Sequence, residues 1–355
     1  VEKEYGILTI RKVEWSMKNK DIAEMLQISP ATVSLALNNR EGVSEETRRK
    51  VLELKNSSVR KELAAGAGRS AKGDIGLLIY KKHGNIISET PFFVTLTERL
   101  DQQAGKHLYG VYISYYNSSK DIHSYLRSLE NSNILGVMVL ATEMNQAEVT
   151  LLKRELDMPF VLIDAYFPGE KTDSILMDNY SGMMQILKYA AEKGHERIGF
   201  VGSTIPTNNF TERFDYFRIG LEKYHLSYHE EFVFWVPPTI DGACKAMAEQ
   251  LRMGKKLPTL LVAANDILVF GVLNALKQSQ VRVPEDVSLI GFDDMPTSQY
   301  LDPALTTVKL NNEMIGTLAV NRLVEMIEKP YTRKYTVHSM VEVDLVERES
   351  VKRMR

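Results

Sequence analysis

The chain has 355 residues, too many for a single hydrophobic core, so two or three domains are expected. Its 44 basic and 46 acidic residues leave a formal charge of −2, which excludes a chain-wide basic field; any nucleic-acid contact must come from a local surface. A 44% hydrophobic, 25% charged composition excludes global disorder, and the one cysteine, Cys244, excludes a disulfide framework or a cysteine-built zinc site.

Residues 1–16 carry no usable pattern and are left as an unassigned extension. From Met17 the chain reads as short helices with sharp punctuation. Ile22, Ala23, Met25 and Leu26 stand at helical spacing for burial. Ser29-Pro30 then supplies an N-cap hydroxyl followed by proline at the first helical position, and the helix Pro30–Leu37 ends at Asn38-Asn39. A third start follows at Ser44-Glu45-Glu46, with two acids on the positive end of the helix dipole and Arg48, Arg49 and Lys50 in the body behind them.

Two short helices joined by Gln27-Ile28-Ser29 make a helix-turn-helix, whose second helix enters the major groove of double-stranded DNA. Ala31, Thr32 and Ser34 are small enough for close approach. The hydroxyls of Thr32 and Ser34 reach phosphates or bases, and Asn38 is placed for a backbone contact. Across residues 17–60 cations exceed anions by two, and the acids cluster at helix starts. The competing reading is a helical packing domain with a solvated charged face. Residues 17–56 are therefore expected to bind DNA, and residues 57–73, rich in Ser, Gly, Ala, Lys and Arg, to form a linker.

Beyond the linker, strand and helix alternate. Apolar runs at Ile75–Tyr80, Val111–Ser114, Val137–Leu140, Phe160–Asp164, Ile198–Gly202, Leu260–Ala263 and Leu289–Phe292 are separated by amphipathic stretches. The latter are Phe93–Ala104, Gln146–Leu156, Ser181–Lys193, Thr211–Tyr224, Asp241–Met253, Ile267–Gln278 and Glu313–Glu328. Short continuous strands alternating with helices predict an α/β fold of parallel sheets covered on both faces, here two doubly wound lobes. No apolar run is long enough to cross a bilayer, and the first residues lack a basic stretch followed by an apolar one; no membrane partner and a cytoplasmic location are expected.

The ordered motifs carry a resemblance. Asp21-Ile22-Ala23, Ser29–Ser34, Ala36-Leu37-Asn38 and Val43–Arg48 resemble the head-piece of the lactose-repressor (LacI/GalR) family. Further motifs follow in the same order: Asp178-Asn179, Gly194–Ile198, Arg213 before Phe217-Arg218, Asn265-Asp266, Gly291–Asp294 and Leu305–Val308. The resemblance implies a transcription regulator, a homodimer or tetramer, with a periplasmic-binding-protein-like core. It implies an N-terminal lobe of residues 74–175 plus about 309–337, and a C-terminal lobe of 176–308 plus about 338–350. The DNA-contact set it implies is Ser29, Pro30, Ala31, Thr32, Ser34, Leu35, Asn38 and Arg48. Three departures stand out. Leu35 replaces an arginine, which removes a bidentate guanine contact and leaves a thymine methyl as partner. Gly66 and Gly68 disfavour a hinge helix, with Leu63 the only wedge for the minor groove. Asn19 stands where a core isoleucine is usual.

Ligands of such two-lobe folds sit outside the carboxyl ends of the strands. Asp164, Asn265 and Asp293 each follow a strand, and Arg213 opens a helix; together they suit a polyhydroxylated effector, probably a carbohydrate, although each strand-end residue could simply cap a turn. By resemblance these four match effector contacts, Phe92 and Phe93 match an apolar wall, and Trp235 is a candidate stacking residue. The basic loop Lys81-Lys82-His83 suggests a cationic rim favouring an acidic ligand. With no glycine-rich phosphate loop and no metal-ligand cluster, no enzyme activity, metal or cofactor is expected. Two alternatives remain at this point: a solute-binding transport receptor without a DNA role, and a DNA-binding regulator controlled by a protein corepressor.

Overall fold

The computed structural model describes residues 19–37, 43–44, 47, 50–51, 72–83, 92–117 and 121–354, with the backbone alone at 19–21, 25, 37 and 92–94. Asn38, Arg48 and the linker, including Leu63, Gly66 and Gly68, lie outside the described residues.

Helices α1 (Asn19–Leu26) and α2 (Pro30–Leu37) pack through Ile22, Ala23, Val33 and Ala36, which with Val51 form a small core of their own. The turn between them is tight because Gln27 takes a left-handed conformation, φ 53°, and Ile28 N–H donates to Ala23 O at 2.9 Å.

In chain order the rest comprises β1 (Gly73–Lys81), α3 (Phe92–Lys106), β2 (Tyr109–Asn117), α4 (Ile122–Glu130), β3 (Ile134–Leu140), α5 (Gln146–Glu155), β4 (Phe160–Ile163) and β5 (Asp173–Met177). There follow α6 (Asn179–Glu192), β6 (Ile198–Ser203), α7 (Asn208–Lys223), β7 (Val233–Val236), α8 (Ile240–Arg252), β8 (Leu260–Ala263), α9 (Asp266–Gln278) and β9 (Ser288–Ile290). Last come β10 (Thr307–Lys309), α10 (Asn312–Glu328), β11 (His338–Val341) and β12 (Asp344–Val346).

Two parallel sheets result, one ordered β11-β5-β4-β3-β1-β2 and the other β7-β6-β8-β9. Their central strands are buried along almost their whole length, which is why they read in the sequence as unbroken apolar runs. The lobes are linked by more than one crossing of the chain. Strands β10 and β12 pair antiparallel beside the second sheet, whereas α10, between them in sequence, packs on β3, β4 and β5 of the first. One expected boundary needs correction. Residues 338–341 do not join the second lobe; they pair in parallel with Ser174–Met177 as an edge strand of the first sheet. Their signal was weak because His338 and Met340 face solvent, so half of this short strand is not buried.

Candidate functional site

Four strand ends and two helix starts converge between the lobes. Thr142 follows β3 and Asp164 follows β4 in the first lobe; Asn265 follows β8 and Asp293 follows β9 in the second, with Asn209 and Arg213 on α7. These six share one pocket with Met177 and Leu310. Two of the carboxylates sit on unusual backbone. Asp164 has φ 70° and Asp293 φ 112°, a region that costs a non-glycine residue strain and is tolerated where the surroundings fix it.

A continuous hydrogen-bond network supplies that fixing. Asp164 accepts from Asn209 Nδ2 at 2.8 Å and from the Thr142 hydroxyl. Asn179 donates to Asn209 Oδ1 at 2.8 Å and accepts from Arg213 Nε at 2.9 Å. Arg213 also donates through Nη1 to Ala264 O at 2.6 Å and pairs with Asp293 Oδ1 at 3.2 Å, while Phe292 covers its guanidinium face at 3.7 Å. Its Nη2 is directed at the sulfur of Met177, 2.9 Å away. A thioether is a weak acceptor, so this is the arm of the fork that gains most from an incoming oxygen.

Burial dominates the electrostatics. It pushes Asp164 up to about 6, against the pull of Thr142, Asn209 and Arg213, and it raises Asp293 despite the Arg213 partner. Behind the pocket Asp266 is fully buried and pushed up to about 7 for the same reason. It accepts from Met295 N at 2.9 Å and from the hydroxyls of Ser298 and Thr307 at 2.6 Å each, which ties the loop after β9 to α9. Gly291 makes this possible: a Cβ there would lie 2.1 Å from Asp266 Oδ1.

Not every expected residue joins the pocket. Asn265 does line it and is also the N-cap of α9, accepting from Leu268 N at 3.1 Å, so the capping and the lining reading are both realised. Phe92 and Phe93 open α3, but their side chains lie outside the described residues. Trp235 is a correction. It sits on edge strand β7, 46% exposed, with its ring edge-on to Phe214 at 5.1 Å and stacked over Gly202, so strand alternation aims it at the sheet face rather than the cleft. The basic loop is likewise not an open rim. Lys82 and His83 donate their backbone N–H groups to Glu143 at 2.7 Å, Lys82 Nζ pairs with Glu148 at 2.9 Å, and Lys81 lies over Tyr115.

Thr142, Asn179 and Asn209 were missed by sequence reasoning. Asn209 was within reach, because it precedes Arg213 by four residues and so shares its helix face. In the head-piece, Ser29 Oγ accepts from Thr32 N at 3.0 Å as an N-cap. Val33 and Ala36 turn inward, Pro30 and Ala31 are exposed, and Thr32, Ser34 and Leu35 are half-buried.

Comparisons with known proteins bear on both parts. Residues 19–57 match the family model for bacterial regulatory proteins of the lacI family, and residues 187–351 match the periplasmic binding protein-like domain. Among relatives, an HTH-type transcriptional repressor PurR from Histophilus somni is 26% identical over 94% of this chain and 98% of its own length. The PurR repressor of Aliivibrio salmonicida is 28% identical over 94% of this chain and 99% of its own length. Among solved structures, a complex of the transcriptional regulator CelR with cellobiose has a TM-score of 0.70 at 23% identity, covering 94% of this chain and 99% of that one. The lac repressor dimer bound to operator and the anti-inducer ONPF has a TM-score of 0.68 at 19% identity, covering 94% and 98%.

Proposed function

The chain belongs to the LacI family of bacterial regulatory proteins, and from that premise we propose that it is a DNA-binding transcriptional repressor whose operator affinity is set by a small effector bound between the lobes. The observation that carries the effector half is the pocket itself. Asp164 and Thr142 from one lobe face Arg213, Asn265 and Asp293 from the other, so a ligand bridging them fixes the angle between the lobes. In the described conformation that pocket has closed to about 30 Å3, room for roughly one or two water molecules, so the lobes must part to admit a ligand.

The charge balance names the ligand class. Two buried carboxylates oppose one guanidinium, and three of that guanidinium's donor directions already meet strong protein acceptors. An anionic ligand would add to an existing negative excess in a low-dielectric site, whereas a neutral polyol brings hydroxyl donors to the carboxylates and one oxygen to Arg213 Nη2. The effector is therefore a neutral sugar or sugar derivative, not the acidic one a basic rim would favour.

The DNA half rests on α2, with Ser29, Pro30, Ala31, Thr32, Ser34, Leu35, Asn38 and Arg48 as the contact set. A dimer places two such helices on successive major grooves, about 34–36 Å apart, so a change of lobe angle that alters their separation alters affinity. Residues 17–56 form the DNA unit in this scheme, 57–73 the link, and the two lobes the receptor. Thermal-shift screening against neutral and acidic sugars tests the ligand class: a neutral sugar raises the unfolding temperature by mass action, and a preference for acidic sugars contradicts the reading.

A further inference from the structure

The closed inner pocket is not the largest space at this site. A second cavity of about 540 Å3 shares Asp293 and Leu310 with it, and its volume falls in the roughly 300–1,000 Å3 range of small-molecule sites. Its walls come from both lobes: Thr95 and Arg99 on α3, the loop from Asp293 to Pro296, and the start of α10.

Its charges balance. Asp293 is held by Arg213, and Asp294 is held by Arg348 at 2.7 Å, which leaves Arg99 and Lys309 opposite Glu313 and Asp344. Such a chamber has no net pull on an ion. It contains one unmet need, because Oδ1 of Asn312 is buried without a hydrogen-bond partner among the described residues. A buried acceptor of this kind is stabilised by a hydroxyl or amide donor.

Resting on the effector reading above, we propose that the two spaces form one bipartite site. The inner pocket takes one polyhydroxylated unit between Asp164, Arg213 and Asp293, and the outer chamber takes a second neutral polar unit that donates to Asn312, so the effector is a two-unit glycoside. A single sugar ring fills only the inner half and leaves the Asn312 acceptor unmet.

Calorimetric titration of the full chain with neutral pyranose monosaccharides and with disaccharides built from them tests this. The best disaccharide should bind about tenfold or more tighter than its component monosaccharides, the increment of roughly one well-made hydrogen bond or more. Asn312→Ala should remove most of that advantage and leave monosaccharide binding unchanged. Arg99→Ala, a change at a half-exposed side chain, should weaken the disaccharide in the same direction. A monosaccharide that binds as tightly as every disaccharide, or a disaccharide affinity indifferent to both substitutions, overturns the bipartite site while leaving the effector reading standing. Absence of binding by either class overturns the effector reading and this proposal with it.

Discussion

Arg213 and Asp164 illustrate what a buried polar site costs and what it gains. Arg213, 2% exposed, is the only cation among the pocket's lining residues, and its removal leaves Asp293 buried beside Asp164 with no counter-charge. Arg213→Ala should therefore cost the core about 3–5 kcal/mol, read as a lower urea midpoint, and should abolish effector binding. Asp164 makes the opposite case. Its native value of about 6 lies above the ordinary 3.8, so between those values the folded chain retains a proton that the unfolded chain releases. Stability from this group thus falls as pH rises from about 4 to 6, and above that window the penalty is full, on the order of 3 kcal/mol. Asp164→Asn should be more stable than the parent at pH 7.5 and should show a flatter pH profile below 6, while losing effector affinity. An unchanged profile in urea unfolding at pH 4.5 and 7.5 would contradict the assignment.

The elements differ in how plainly they announced themselves. Head-piece helices α1 and α2 form a core that shares no residue with the clusters of the lobes, so damage there should remain local. Ile22 is fully buried, and Ile22→Ala should cost about 2–5 kcal/mol, melting the head-piece and abolishing DNA binding while effector binding persists. Ser29→Ala, which removes only the cap on Thr32 N, should cost about 1 kcal/mol. Leu35 makes a sharper prediction about specificity: selection from a random DNA pool should yield a half-site without guanine at the position Leu35 reads, and Leu35→Arg should restore one. The helix starts were legible because capping hydroxyls and prolines act over three residues. Buried central strands were legible because both faces need apolar side chains. Strands β5, β7, β10, β11 and β12 were not, being three to five residues long and, for β11, half exposed. The site divides in the same way. Asp164, Asn265 and Asp293 end visible apolar runs, whereas Thr142 and Asn179 enter only through a fold that joins positions 30 or more residues apart.

At the scale of the whole molecule, two lobes joined by several crossings can change their relative angle but cannot separate, which is the kind of bistable element that links a cleft to a distant surface. The loop from Asp293 to Ser298 belongs to this element, because Asp266 binds it to α9 and Asp293 carries it into the pocket. Occupancy of the pocket then bears on head-piece spacing through the rigid lobes, and thermodynamic linkage makes the influence mutual. Fluorescence anisotropy of a pool-selected operator fragment, titrated with the full chain at zero and saturating effector, measures this directly. The operator Kd should shift by about 5- to 150-fold, and bound operator should shift the effector Kd by the same factor. An operator Kd unmoved by a ligand whose binding calorimetry has established would contradict the account.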